Sequence, residues 1–174
     1  MLLRRCPAAL ARSTTTALLT AMLLAMPSVS GADQSGIEGR TIAITLFNSI
    51  DERRGTGKLN VQDLTEFGET IAVSMDYDKD GVVARDEFLQ WDPGFRFVAA
   101  ELGREEGFVT AQKIVFAMWD SDGDDTLTQA EMRRAMSTDL RHADLDDDGT
   151  LDQDEFLSGF LIIVAMRAAI RPDL

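Results

Sequence analysis

The sequence predicts an all-α protein built from helix–loop–helix units in two pairs, with short β-bridges between paired loops. Three observations lead there. Three acidic stretches repeat: Asp76-Tyr-Asp-Lys-Asp-Gly81, Asp120-Ser-Asp-Gly-Asp-Asp125 and Asp144-Leu-Asp-Asp-Asp-Gly149. Each is followed by an apolar residue (Val83, Leu127, Leu151) and closed by a glutamate (Glu87, Glu131, Glu155). Between them, apolar side chains recur at helical rather than strand spacing. An apolar content of 45% is enough for a packed core and argues against a disordered acidic chain.

The first 32 residues are of another kind. Arg4, Arg5 and Arg12 precede an apolar run, residues 17–26, and then Pro27 and the small residues Ser28, Ser30, Gly31 and Ala32. A basic start, an apolar core and a small-residue region read as a secretion leader cleaved near Ala32. The apolar run is too short to span a bilayer. An Arg- and Thr-rich, acid-free segment also suits a transit peptide, but the uninterrupted apolar core favours secretion. Cys6, the one cysteine, sits within this leader, so disulfides are not expected beyond it. Without residues 1–32, 14 basic residues face 30 acidic ones, a net charge of −16. Such a surface repels nucleic acid and attracts cations.

A degenerate fourth stretch lies upstream. Phe47 stands four residues before Asp51, as Phe116 does before Asp120, and Gly57, Lys58, Leu59, Asn60 and Asp63 resemble the second half of a loop. Arg53 and Arg54 stand where carboxylates belong, and the loop is one residue too long. Loop starts are separated by 25, 44 and 24 residues, which groups them as neighbours in sequence. The expected division is 33–91 for the first pair, 92–110 for a helical linker and 111–174 for the second pair. Within each pair the connecting segment reads as two short helices, punctuated by Gly68 and by Ser137-Thr138. The linker turns at Asp92-Pro93-Gly94. Phe95, Val98, Ala99 and Leu102 then mark one helix. A second, capped by Thr110, runs to Trp119 with Ile114, Val115, Met118 and Trp119 as its apolar face. The last helix is expected from Gln153 to before Pro172.

The first and third repeats match D-x-[DN]-x-[DN]-G-x5-E at every specified position, through Asp76, Asp78, Asp80, Gly81 and Glu87, and through Asp144, Asp146, Asp148, Gly149 and Glu155. From about Thr41 to its end the chain therefore resembles the EF-hand superfamily, and its short spacing is similar to that of secreted, periplasmic bacterial members. The resemblance implies about three calcium ions. Calcium takes six to eight oxygens, here from aspartates at loop positions one, three and five, a backbone carbonyl at seven and both oxygens of the closing glutamate. The expected ligands are Asp76, Asp78, Asp80, Val82 and Glu87; Asp120, Asp122, Asp124, Thr126 and Glu131; and Asp144, Asp146, Asp148, Thr150 and Glu155. Asp125 replaces the position-six glycine, where positive φ is needed, so the middle site is expected to be the weakest. The apolar position-eight residues are expected to pair as Leu127 with Leu151 and Leu59 with Val83.

Other chemistries find little support. His142 is the only histidine, so no cysteine or histidine cluster suggests zinc and a nucleophilic triad has almost nothing to draw on. Every conspicuous carboxylate pair already belongs to a loop, and an enzyme is not expected. Residues 156–166 are strongly apolar but too short to cross a membrane. They suit either a buried last helix or, with Met75, Met118, Met132, Met136 and Met166, a surface for a protein partner, a second copy or a membrane interface. Two roles follow from the resemblance: a calcium-responsive module that binds a protein, or a permanently loaded structural or buffering protein.

Overall fold

A computed structural model describes residues 31–171, with side chains from residue 38 onward. The expected leader, with Cys6, lies outside the described residues except for its last two positions. The described chain runs α1 (Gly31–Asp51), β1 (Leu59–Asn60), α2 (Val61–Met75), β2 (Val83–Ala84), α3 (Arg85–Gln90), α4 (Phe95–Glu101) and α5 (Glu105–Trp119). It continues as β3 (Thr126–Leu127), α6 (Gln129–Ala143), β4 (Thr150–Leu151), α7 (Gln153–Gly159) and α8 (Leu161–Ile170). The all-α expectation holds: two-residue strands are the only β-structure among the described residues.

The helices begin where the loops end, for a local reason. Asn60, Thr128 and Asp152 accept hydrogen bonds from the third helical residue, while Asp63, Glu131 and Glu155 reach back to the cap backbone. Each such capping box satisfies two backbone donors that the first turn leaves free. The acid that closes each loop thereby also starts the next helix.

α2 and α6 correct the expected breaks. Each is one continuous helix of 15 residues linking two loops. Gly68 does not punctuate α2. A Cβ there would come within 2.8 Å of Met136 Cγ, so the glycine admits α6 into close contact. Ser137 and Thr138 lie inside α6. A helix of this length is about 22 Å long, so the loops at its two ends cannot touch.

The strand pairing follows and overturns the expected one. Leu59 pairs with Leu151, and Val83 pairs with Leu127. The first loop therefore joins the fourth, and the second joins the third. β1 precedes α2 and β4 follows α6, while β2 follows α2 and β3 precedes α6. The two helices consequently run antiparallel, and they form the largest helix–helix contact of the fold. One loop pair sits at each end of this central two-helix unit.

The remaining helices wrap it. Asp92 holds the turn into α4, accepting from the Gly94 and Arg96 N–H groups at 2.9 and 3.0 Å. α5 starts at Glu105, before the expected cap. Thr110 lies inside it and donates to the Glu106 carbonyl. Its buried face carries Phe108, Gln112, Val115, Phe116 and Trp119, whereas Ile114 and Met118 face solvent. The expected single last helix is two, α7 and α8, meeting at Phe160.

Phe156, Leu157, Phe160, Ile162, Ile163 and Met166 are all buried, so the apolar segment is core. Met75, Met132 and Met136 are buried as well. The surface expected for a partner along this segment is therefore covered by the protein itself, because α8 packs against α1, α4 and α5. Among the described residues no helix is long and apolar enough to cross a membrane.

Gly159 ends α7 against the end of α6. A Cβ there would lie 2.6 Å from Ala143 Cα and 2.7 Å from Ala143 Cβ. Gly159→Ala is expected to destabilise the fold by about 1–3 kcal/mol, since backbone cannot yield as a side chain can. Gly68→Ala, which meets only the flexible Met136 side chain, is expected to cost less. Urea unfolding of both variants checks the order.

Candidate metal centres

Three loops each repeat one hydrogen-bond pattern. In the second loop, Asp76 accepts from the Asp80 and Gly81 N–H groups at 3.1 and 3.0 Å, and Asp80 accepts from Val82 N–H at 3.0 Å. In the third, Asp120 accepts from Asp124 and Asp125 at 3.2 and 3.1 Å, and Asp124 from Thr126 at 2.9 Å. In the fourth, Asp144 accepts from Asp148 and Gly149 at 3.1 and 2.9 Å, and Asp148 from Thr150 at 2.9 Å. The closing glutamates span each loop. Glu87 accepts from Tyr77 and Ala84, Glu131 from Ser121 and Thr128, and Glu155 from Leu145 and Asp152. Each curls the chain around a point toward which its carboxylates turn.

The backbone bends at two left-handed positions per loop. Position six is Gly81, Asp125 or Gly149, with φ of 94°, 68° and 82°. Position four is Lys79, Gly123 or Asp147, with φ of 62°, 74° and 56°. Asp125 thus adopts the expected strained conformation. The second left-handed position was not foreseen. Every loop places its single glycine at one of the two, and the third loop differs only in which.

These bends bring acidic oxygens together. Asp76, Asp78 and Asp80 present oxygens within 4.8 Å of one another, as do Asp120, Asp122 and Glu131, and Asp144, Asp146 and Glu155. Glu87, Asp124 and Asp148, the remaining expected side-chain ligands, lie outside these groupings but within the same hydrogen-bond nets. Val82, Thr126 and Thr150 stand between the position-six bend and the strand, where each N–H is held by the position-five aspartate. The donor set is all oxygen and dense in charge, and these acidic groups could hold a metal ion.

The electrostatics agree. The Asp80 N–H lowers the pKa of Asp78, but desolvation and the carboxylates of Asp80, Glu87 and Asp76 leave it raised overall. Desolvation raises Glu131, yet hydrogen bonds from Thr128 and Ser121 bring it down to about 2. Lys58 and Thr150 hold Asp148 at about 2.

The first loop keeps this backbone frame. Asp51 accepts from Thr56 and Gly57 N–H at 2.9 and 2.8 Å, as the other position-one aspartates do, and Asp63 accepts from Asn60 N–H at 3.0 Å. Where the other three loops gather carboxylates, Arg54 Nη1 lies 3.1 Å from Asp63 Oδ2 and Arg53 Nη2 lies 3.8 Å from Asp63 Oδ1. Asp63 is buried, so a guanidinium supplies its counter-charge. Two further contacts cross between loops: Lys58 of the first holds Asp148 of the fourth, and Arg85 of the second holds Asp125 of the third.

Beside the third loop, a cavity of about 260 Å³ is lined by Trp119, Glu131, Arg134, Asp139 and His142. Asp139 is buried, its Oδ2 lacks a hydrogen-bond partner, and Trp119 Nε1 lacks one as well. Desolvation pushes the Asp139 carboxyl up to about 7, and the nearby indole only partly offsets it. An acid with a raised folded-state pKa favours folding only while protonated. Stability is therefore lost as pH rises from about 4, where the unfolded chain ionises, to about 7. Asp139→Asn is expected to stabilise the protein by on the order of 2–4 kcal/mol at pH 8 and by little below pH 4. Denaturant midpoints at the two pH values check this.

Comparison with protein-family models, with curated proteins and with solved structures finds no match to this chain.

Proposed function

We propose that the protein binds calcium through three EF-hand-type loops, 76–87, 120–131 and 144–155, and that its first loop has exchanged the metal for arginine. The observation that carries this is the threefold recurrence of one net: a position-one aspartate, a position-five aspartate and a closing glutamate fastening the same backbone N–H groups. The chemistry supports calcium over smaller or softer ions. Aspartates with a backbone carbonyl and a long glutamate form a flexible oxygen cage, whereas magnesium demands tighter octahedral geometry and retains its waters. Close carboxylates repel until a cation neutralises them, so part of the binding free energy stabilises the fold.

Of the two roles, the loaded structural or buffering one has the better support. The apolar segment 156–166 and Met75, Met132, Met136 and Met166 already lie in the core, so they are not free to be exposed on binding. In a secreted setting, where the chain has no disulfide beyond its leader, calcium takes over cross-linking. The test is to add calcium to the stripped protein while following thermal unfolding and a hydrophobic dye. A higher Tm with flat or falling dye fluorescence fits the structural role. A rise in dye fluorescence on loading returns the argument to a partner-binding switch. No change in Tm at millimolar calcium removes the proposal.

A further inference from the structure

The calcium reading gives all three loops one ligand pattern, but the fold does not place them alike. The second and third loops face each other through β2 and β3, and Arg85 N–H donates to the Asp125 carbonyl at 3.2 Å. The fourth loop faces the metal-free first loop through β1 and β4. Across that junction the Lys58 ammonium sits on Asp148 Oδ2, while Asp148 Oδ1 accepts from Thr150 N–H. Asp148 holds loop position five, one of the four carboxylates the fourth site relies on.

Resting on the calcium reading, we infer that Lys58 is a built-in competing cation that lowers the affinity of the fourth site and sets it apart from the coupled second and third sites. Geometry supports this in two ways. An ammonium on one oxygen of a ligand carboxylate cancels charge that calcium needs, and calcium entering the loop meets a fixed positive neighbour at close range. The other cross-loop ion pair has no such effect. Arg85 binds Asp125, which occupies position six and is not a ligand. Arg53 and Arg54 are engaged with Asp63 and Glu66, which leaves Lys58 as the cation of the first loop directed at its partner. Lys58 also follows Gly57, whose N–H binds Asp51, and its own carbonyl accepts from the Thr56 hydroxyl, so the first loop's own hydrogen bonds fix the backbone that carries the lysine.

The test is a calcium titration of the full-length protein and its Lys58→Gln variant, by calorimetry and by amide NMR. Gly149 reports the fourth site, and Gly81 and Gly123 report the other two. Lys58→Gln is expected to tighten the fourth site by about three- to tenfold and to leave the other two within about twofold. Lys58→Arg, which keeps the charge, is expected to stay close to wild type, and so is Arg85→Gln at the fourth site. Unchanged or weaker binding at Gly149 in Lys58→Gln overturns the inference while leaving calcium binding intact. Absence of calcium binding at all three reporters in the wild type instead overturns the reading beneath it.

Discussion

Glu155→Gln is expected to remove one calcium ion from the protein, with the affinity of the fourth site falling about tenfold or more. Glu155 accepts from Leu145 N–H through one oxygen and from Asp152 N–H through the other, so it ties both ends of the loop. Neutralising it removes one of the four carboxylates and the two-oxygen grip that closes the cage. Glutamine still offers one carbonyl oxygen and keeps the length, so the metal-free protein is expected to lose only about 1 kcal/mol. Calorimetric stoichiometry dropping from three to two, with near-normal urea unfolding in a chelator, is the expected pair of results. Glu131→Gln is expected to behave alike at the third site but to cost more without metal, because Ser121 and Thr128 hold Glu131 through both backbone and hydroxyl groups.

Phe156→Ala is expected to destabilise the fold by about 3–5 kcal/mol. Phe156 is fully buried, packs edge-on against Phe47 of α1 at 5.5 Å and stacks on Phe160 at 5.0 Å. It follows Glu155 directly, so the same residue anchors the fourth loop to the core. Against a typical total stability of about 5–15 kcal/mol, that loss is a large fraction. Chemical denaturation with and without calcium is the measurement, and the variant is expected to depend on calcium more steeply than wild type.

The loops were legible because their chemistry is local. Positions one, three, five, six and twelve of a calcium loop are set by reach and backbone torsion within a dozen residues, and Asp76 through Glu87 carries that pattern in sequence. The departure of the first loop was legible too, because Arg53 and Arg54 stand where the other loops carry carboxylates. Pairing was not legible. Sequence proximity suggested Leu59 with Val83, but that depended on a break near Gly68. Gly68 has two readings in sequence, helix stop and close-packing site. The contact that decides between them, Met136, lies on a helix 68 residues away. Once α2 and α6 are continuous, loops at opposite ends of each helix must find partners on the other. Ser137 and Thr138 misled for a related reason: a capping residue signals a helix start only where the chain can turn, and here packing keeps the helix going.

The apolar run after Phe156 left burial and exposure open in sequence, because periodicity does not distinguish a core helix from an interface. Packing against α1, α4 and α5 decides it. Lys58 and Asp139 carried no sequence signal at all. One acquires its meaning from a carboxylate 90 residues away, the other from a cavity formed by three separate segments.

The most direct test of the account is calorimetric titration of the calcium-stripped protein with calcium, repeated with magnesium at the same concentrations. The account predicts three calcium ions per chain, a rise in thermal stability that follows their binding, and much weaker binding of magnesium. Absence of calcium binding up to millimolar concentration, or binding at a single site unaffected by Glu155→Gln and Glu131→Gln, contradicts it.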